Sequence, residues 1–274
     1  MPFSRKQMKL FDQDRLLVIA GPCQIEGRDH ALMVAEKLSN VCRNFGVNFV
    51  YKSSFDKANR TSANSERGVG MEEGLRILQE VRRQIGCPIL SDIHLPDQAT
   101  VCAEILDIIQ IPAFLSRQTD LLQAAGKTGR IINIKKGQFM HPADMFFAAE
   151  KIEKVGNNQI MLCERGSSFG YRDLVVDMRS LIIMRSLNYP VIFDATHSVQ
   201  SVGGAAGRSG GASEYVIPLA KAALAVGVDG IFVETHNDPT KAPSDGSSML
   251  PLDQFENLLS QAVEIDRLNY GSAK

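Results

Sequence analysis

Eight short, β-branched runs, each ending in polar residues and separated by stretches with a 3.6-residue apolar rhythm, predict an α/β fold. The expected architecture is a (β/α)8 TIM barrel preceded by a short N-terminal extension, residues 1–15. The alternation fills about 250 residues, the usual span of such a barrel. No G-x-G-x-x-G turn follows the first run, as it commonly would in a doubly wound sheet, the alternative reading. Reactive side chains also gather at the C-terminal ends of the runs, where these barrels carry their active sites.

In chain order the runs are LLVIAGPC (16–23), NFVYKSSF (48–55), PILSDIH (88–94), DIIQIPAF (107–114), RIINIKKG (130–137), QIMLCERG (159–166), PVIFDATH (190–197) and GIFVETH (230–236). Most are apolar for four or five consecutive residues, as strands buried on both faces require. The clearest helices between them are ALMVAEKLSNVCRNF, MEEGLRILQEVRRQIG and PADMFFAAEKIEKVG, then SEYVIPLAKAALAVG and LDQFENLLSQAVEIDRL. Gly46, Gly86, Gly156 and Gly227 fall just past helical stretches, where a left-handed cap suits glycine. No linker or composition shift divides the chain, so residues 1–274 are expected to form a single barrel domain.

Bulk properties narrow the class further. Thirty Lys and Arg nearly balance 31 Asp and Glu, so the overall charge carries no signal for nucleic acid or an acidic membrane. No apolar run approaches the ~20 residues of a membrane span. The opening MPFSRKQMKLFDQDR lacks the apolar core of a signal peptide. Five cysteines, odd in number and without C-x-x-C spacing, read as reduced thiols. A cytoplasmic protein is expected.

Two constellations carry chemistry. Cys23, His197, Glu234 and Asp245 lie at or just beyond the ends of runs 1, 7 and 8, which become neighbours when a barrel closes. A thiolate, an imidazole and two carboxylates suit one divalent ion, Zn²⁺, Fe²⁺ or Mn²⁺. Taken singly, Cys23 reads as a small buried hydrophobe, His197 as a loop histidine and the two acids as surface carboxylates. The second constellation is basic: Lys52, Lys57, Arg60, Lys135, Lys136 and Arg165 crowd the ends of runs 2, 5 and 6. Such a lining suits a phosphorylated, carboxylated small substrate. One or two of these cations are expected to form structural bridges with Asp56, Asp92 or Glu164. A third feature, SVGGAAGRSGGAS (201–213), reads equally as a lid or as a plain connector.

The motifs GPCQIE, YKSSFDKANRTS, SDIHLPDQA, IQIPAFLSRQTDL, INIKKGQF, LCERGSSFGY, VIFDATHSVQ, FVETHNDP and SDGSSMLPL together resemble the 3-deoxy-D-manno-octulosonate 8-phosphate (KDO8P) synthases over residues 17–268. The sister family of 3-deoxy-D-arabino-heptulosonate 7-phosphate (DAHP) synthases carries a shorter Lys-Pro-Arg-Thr-Ser motif where this chain has Lys57-Ala58-Asn59-Arg60. The resemblance implies condensation of phosphoenolpyruvate with D-arabinose 5-phosphate and water. It implies the metal-dependent class, since metal-independent members carry Asn where this chain has Cys23. It also implies roles. Lys57, Lys135 and Arg165 look like the phosphoenolpyruvate clamp, and Asn59 and Arg60 like the arabinose 5-phosphate contacts. Lys52, Ser54 and Asp92 line and orient the clamp, and Lys57, Lys135, His197 and Asp245 are the catalytic candidates. Arg117 resembles an arginine that reaches a neighbouring subunit's site, which implies a homotetramer. Gly137 departs from the family, where proline is common. Two rival readings stand beside this one, another phosphoenolpyruvate-condensing synthase and a non-catalytic sensor of a phosphorylated metabolite.

Overall fold

The computed structural model describes Met8 and residues 10–59, 66–205 and 208–270. Eight parallel strands form the barrel: β1 (Leu17–Gly21), β2 (Asn48–Lys52), β3 (Ile89–Asp92), β4 (Ile108–Ile111), β5 (Ile131–Lys135), β6 (Ile160–Glu164), β7 (Val191–Asp194) and β8 (Gly230–His236). Each pairs with the next, and β1 pairs with β8 from Leu17↔Gly230 to Gly21↔Glu234, which closes the sheet. The closed barrel expected from the alternation is therefore what forms.

Side-chain alternation explains the nearly continuous apolar runs. One set of residues faces the barrel axis: Leu17, Ile19, Val50, Leu90, Ile108, Ile131, Met161, Cys163, Ile192 and Phe232 pack together there. The other set faces the surrounding helices and forms the larger core. Both faces are thus removed from water. Met8 packs on the interior cluster with Phe11 beside it, so the described part of the N-terminal extension stoppers the barrel. The Asn48 side chain ties that segment down by donating to the carbonyls of Asp12 and Arg15.

The helices are α1 (Arg28–Phe45), α2 (Met71–Ile85), α3 (Gln98–Ala103), α4 (Thr119–Lys127), α5 (Met145–Glu153), α6 (Met178–Ser186), α7 (Val216–Val226) and α8 (Phe255–Tyr270). Gly46 and Gly86 end α1 and α2 with φ of 66° and 73°, the left-handed caps expected of them. Two antiparallel ribbons decorate the mouth: Ser167–Phe169 with Asp173–Val175, and Gln200–Ala205 with Arg208–Gly211. The glycine-rich stretch is thus a β-ribbon over most of its length. Its Gly211 lies so close to Ser248 that a Cβ would sit 2.7 Å from the serine Cβ. No helix among the described residues is long and apolar enough to cross a membrane.

Candidate active site

The register that closes the barrel also assembles the site. Gly21↔Glu234 and Phe232↔Asp194 are paired positions, so the polar ends of β1, β7 and β8 meet on one arc of the rim. One ligand atom each from Cys23, Glu234 and Asp245 lies within 4.8 Å of the others. The Cys23 thiol donates to Asp245 Oδ2 at 3.2 Å. His197 Nε2 faces the same group, 3.4 Å from Glu234 Oε2 and 3.9 Å from Asp245 Oδ2. Asp245 reaches in from a turn with φ of 52°, a left-handed conformation that Asp tolerates better than most residues. The turn is held by its own carbonyl, which accepts from the amides of Ser248 and Met249.

A carboxylate absent from the sequence-derived candidates organises this cluster. Asp194, fully buried at the end of β7, accepts from His197 Nδ1 at 2.7 Å and from Lys135 Nζ at 2.5 Å through Oδ2. Its Oδ1 accepts from the amides of Thr196 and His197 and from the Thr196 hydroxyl. Burial works against the charge, but His197 and Lys135 outweigh it and hold the carboxyl well below its ordinary range. With Nδ1–H donated to Asp194, in competition with Lys135 Nζ at 3.2 Å from the same nitrogen, the Nε2 lone pair is left for a metal. Glu234 is likewise kept ionised against burial, by His197 and Lys52, whose Nζ donates to Oε1 at 2.5 Å. Burial, and then Glu234, push the Cys23 thiol pKa up. Four convergent donors with an oriented imidazole fit a small divalent ion, and a metal would have to displace the thiol proton.

The cations divide into two kinds. Lys52, Lys135 and Lys136 pair with Glu234, Asp194 and Glu164, the last at 3.3 Å. Lys136 is wholly buried and donates to the carbonyls of Gly137 and Gly166, so it braces the loops after β5 and β6. It is the structural bridge to Glu164 that the sequence allowed for. Lys57 and Arg165, both buried, have no carboxylate ion pair among the described residues. Lys57 donates to Ser54 Oγ at 2.9 Å, Ser54 in turn donates to Asp92, and Arg165 donates to Gln200 at 2.6 Å. Burial lowers the Lys57 pKa, but Cys23 when deprotonated, Glu234, Asp92 and Asp245 more than restore it. Burial depresses that of Arg165, and one of its buried terminal nitrogens has no hydrogen-bond partner. An orphaned guanidinium nitrogen in such a setting calls for an anion.

The model of the DAHP synthetase I family matches residues 3–269. The chain belongs to that family. Among its relatives are proteins named 2-dehydro-3-deoxyphosphooctonate aldolase. The one from Rhizobium meliloti (strain 1021) is 55% identical over 95% of this chain and 93% of its own. Those from Bartonella henselae and Rickettsia prowazekii are 56% and 54% identical, covering 92% and 95% of this chain and 90% and 95% of their own. The octulosonate-type resemblance carried by YKSSFDKANRTS and its companion motifs is borne out.

At the barrel mouth, Lys52, Ser54, Lys57, Asp92, Lys135 and Arg165 are all buried at or just past the strand ends. His94 adds to them, its Nε2 3.1 Å from Asp92 Oδ2. Asn59 is exposed on the turn beyond Lys57, and Arg117 is exposed after β4. Arg60 lies outside the described residues. At Gly137 a Cβ would sit 2.8 Å from the Phe139 ring, so the departure from proline goes with a ring folded over the backbone. Asp194 and Gln200 were the residues missed. The only signal for Asp194 was its place three residues before His197 at the end of a run.

Proposed function

We infer that this chain condenses phosphoenolpyruvate with D-arabinose 5-phosphate and water, forming 3-deoxy-D-manno-octulosonate 8-phosphate and inorganic phosphate. The observation that carries the reading is the pair Lys57 and Arg165, buried cations beside the Cys23 cluster that have no carboxylate ion pair among the described residues. More than half of the residues are shared with relatives named for that octonate. Two phosphates and a carboxylate bring about five negative charges into one cavity, so fixed cations are needed simply to assemble the reactants.

In this reading Arg165, Lys57 and Lys135 hold the carboxylate and phosphate of phosphoenolpyruvate. Asn59 and Arg60 hold the sugar phosphate, and Lys52, Ser54 and Asp92 keep the clamp oriented. The C3 carbon of the enol attacks the aldehyde carbon, forming the C–C bond while the aldehyde oxygen takes a proton. Water adds its oxygen to C2 and gives up its protons. Phosphate then leaves with cleavage of its bond to C2. Cys23, His197, Glu234 and Asp245 would hold one divalent ion, Zn²⁺, Fe²⁺ or Mn²⁺. When bound it supplies a Lewis acid for the aldehyde oxygen or the attacking water. His197 serves as a ligand and not as a proton carrier, because Asp194 holds one ring nitrogen and the ion would take the other.

The same reading includes a homotetramer. Phe114, Phe139 and Phe169 are 49%, 60% and 69% exposed at adjoining loops beside Arg117. Ser168 donates to Gln138, which joins the loops of the last two rings. An apolar rim of this kind suits a subunit contact. Five free, buried cysteines support a reducing cytoplasm.

The test is phosphate release from phosphoenolpyruvate with arabinose 5-phosphate or erythrose 4-phosphate, before and after EDTA and with metal restored. Turnover specific to the pentose phosphate, lost to the chelator and regained with Mn²⁺ or Zn²⁺, is expected. Preference for erythrose 4-phosphate would assign the heptulosonate reaction instead. Indifference to EDTA with no bound metal would remove the ion from the reading.

A further inference from the structure

We propose that Glu26, His30 and His236 form a second divalent-metal site on the barrel rim, of the class that takes Zn²⁺. Glu26 follows β1, His30 lies in the first turn of α1, and His236 ends β8. Closure of β1 onto β8, which also assembles the Cys23 cluster, therefore brings these three separate residues together. One ligand atom from each lies within 4.8 Å of the others. Glu26 Oε1 is 2.8 Å from His236 Nε2 and 3.8 Å from His30 Nδ1, and the two rings are 4.8 Å apart.

His30 carries the argument. Its Nε2 lies 2.8 Å from Asn237 Oδ1, a pure acceptor, so Nε2 holds the ring proton and Nδ1 keeps a lone pair. That Nδ1 is buried and has no hydrogen-bond partner. An unpartnered nitrogen facing a carboxylate and a second imidazole is what a cation would satisfy. The Asn237 contact is the outer hydrogen bond that orients metal-binding histidines. Two imidazoles and one carboxylate favour Zn²⁺, Co²⁺ or Ni²⁺ over Mg²⁺ or Ca²⁺.

The site is the weaker of the two. His236 Nδ1 accepts from the Asp238 amide at 2.9 Å, which places the ring proton on Nε2, shared with Glu26. To bind at Nε2, that proton must move to Nδ1 and the Asp238 contact must open. His30 must also close up, since bonds of ~2.1 Å set tetrahedral ligands about 3.4 Å apart. The rim site therefore fills after the Cys23 site.

The test is Zn²⁺ titration of the untagged, metal-stripped full chain against a chromophoric chelator. Wild type is expected to take two equivalents. Cys23→Ala should lose the tighter one, and His30→Ala and Glu26→Gln each the weaker one. His30→Ala should release phosphate normally with one equivalent bound. Co²⁺ in Cys23→Ala should show d–d bands without sulfur-to-metal charge transfer. One equivalent in wild type, retained in His30→Ala, would overturn the rim site. One equivalent lost in His30→Ala but kept in Cys23→Ala would uphold it and remove the ion from the proposed active site.

Discussion

Single atoms decide the chemistry at the site, and Cys23 and Asp194 are the two to test. Cys23 is buried among carboxylates that disfavour its thiolate, so its value as a ligand depends on a metal displacing the proton. Cys23→Ala is expected to abolish tight metal binding and most turnover, which metal analysis of the purified protein and a phosphate-release assay would check. Asp194 acts through others: it sets the His197 tautomer and shares its Oδ2 with Lys135. In Asp194→Asn the affinity for Zn²⁺ should fall about 10–100-fold, as for other outer-sphere partners of metal-bound histidine. Competition against a chelator reads that effect apart from kcat/KM. Unchanged metal affinity in Asp194→Asn would show that the imidazole needs no such orientation.

At the scale of elements, the strands and long helices follow from periodicity, but the fit between them rests on close approaches. In α2, Gly74 lies against the residue that leads into the substrate loop: a Cβ there would sit 2.3 Å from Phe55 Cβ. Phe55 is fully buried and stands two residues before Lys57. Gly74→Ala is expected to cost about 1–3 kcal/mol by overpacking and to raise KM for phosphoenolpyruvate by shifting Lys57. Chemical denaturation and steady-state kinetics measure the two effects. The elements the periodicity did not single out were short: α3 spans six residues, and α4 and α6 nine each. So few turns give few apolar repeats, and α5, no longer than α4 or α6, stood out because six of its nine residues are apolar. The ribbon Ser167–Phe169 with Asp173–Val175 has exposed or half-exposed side chains and so leaves no apolar alternation to read.

For the whole molecule, burial of charge couples stability and metal loading to pH. The folded-state pKa of Glu234 is depressed below its ordinary 4.5, so its contribution to stability is complete above pH 4.5 and is lost as pH falls further. Acid unfolding should therefore begin below that value, and Glu234→Gln should flatten the profile. Metal affinity should instead rise with pH through neutrality, by up to about tenfold per unit, because the Cys23 proton is released. Isothermal titration in buffers of differing ionisation enthalpy would detect that proton. If the aromatic rim joins subunits, Phe139→Asp with Phe169→Asp should shift the mass in light scattering from tetramer to smaller species. By itself the sequence determined the barrel, its eight strands, and the meeting of Cys23, His197, Glu234 and Asp245 at the mouth. Alternating apolar runs admit few packings, and strand ends in a closed sheet converge wherever they lie in the chain. Only the tertiary structure decided which cations have carboxylate partners, because pairing depends on distances between strands far apart in sequence. The same closure placed Asp194 behind His197 and brought Glu26, His30 and His236 together, since contact across β1 and β8 leaves no local pattern in the chain.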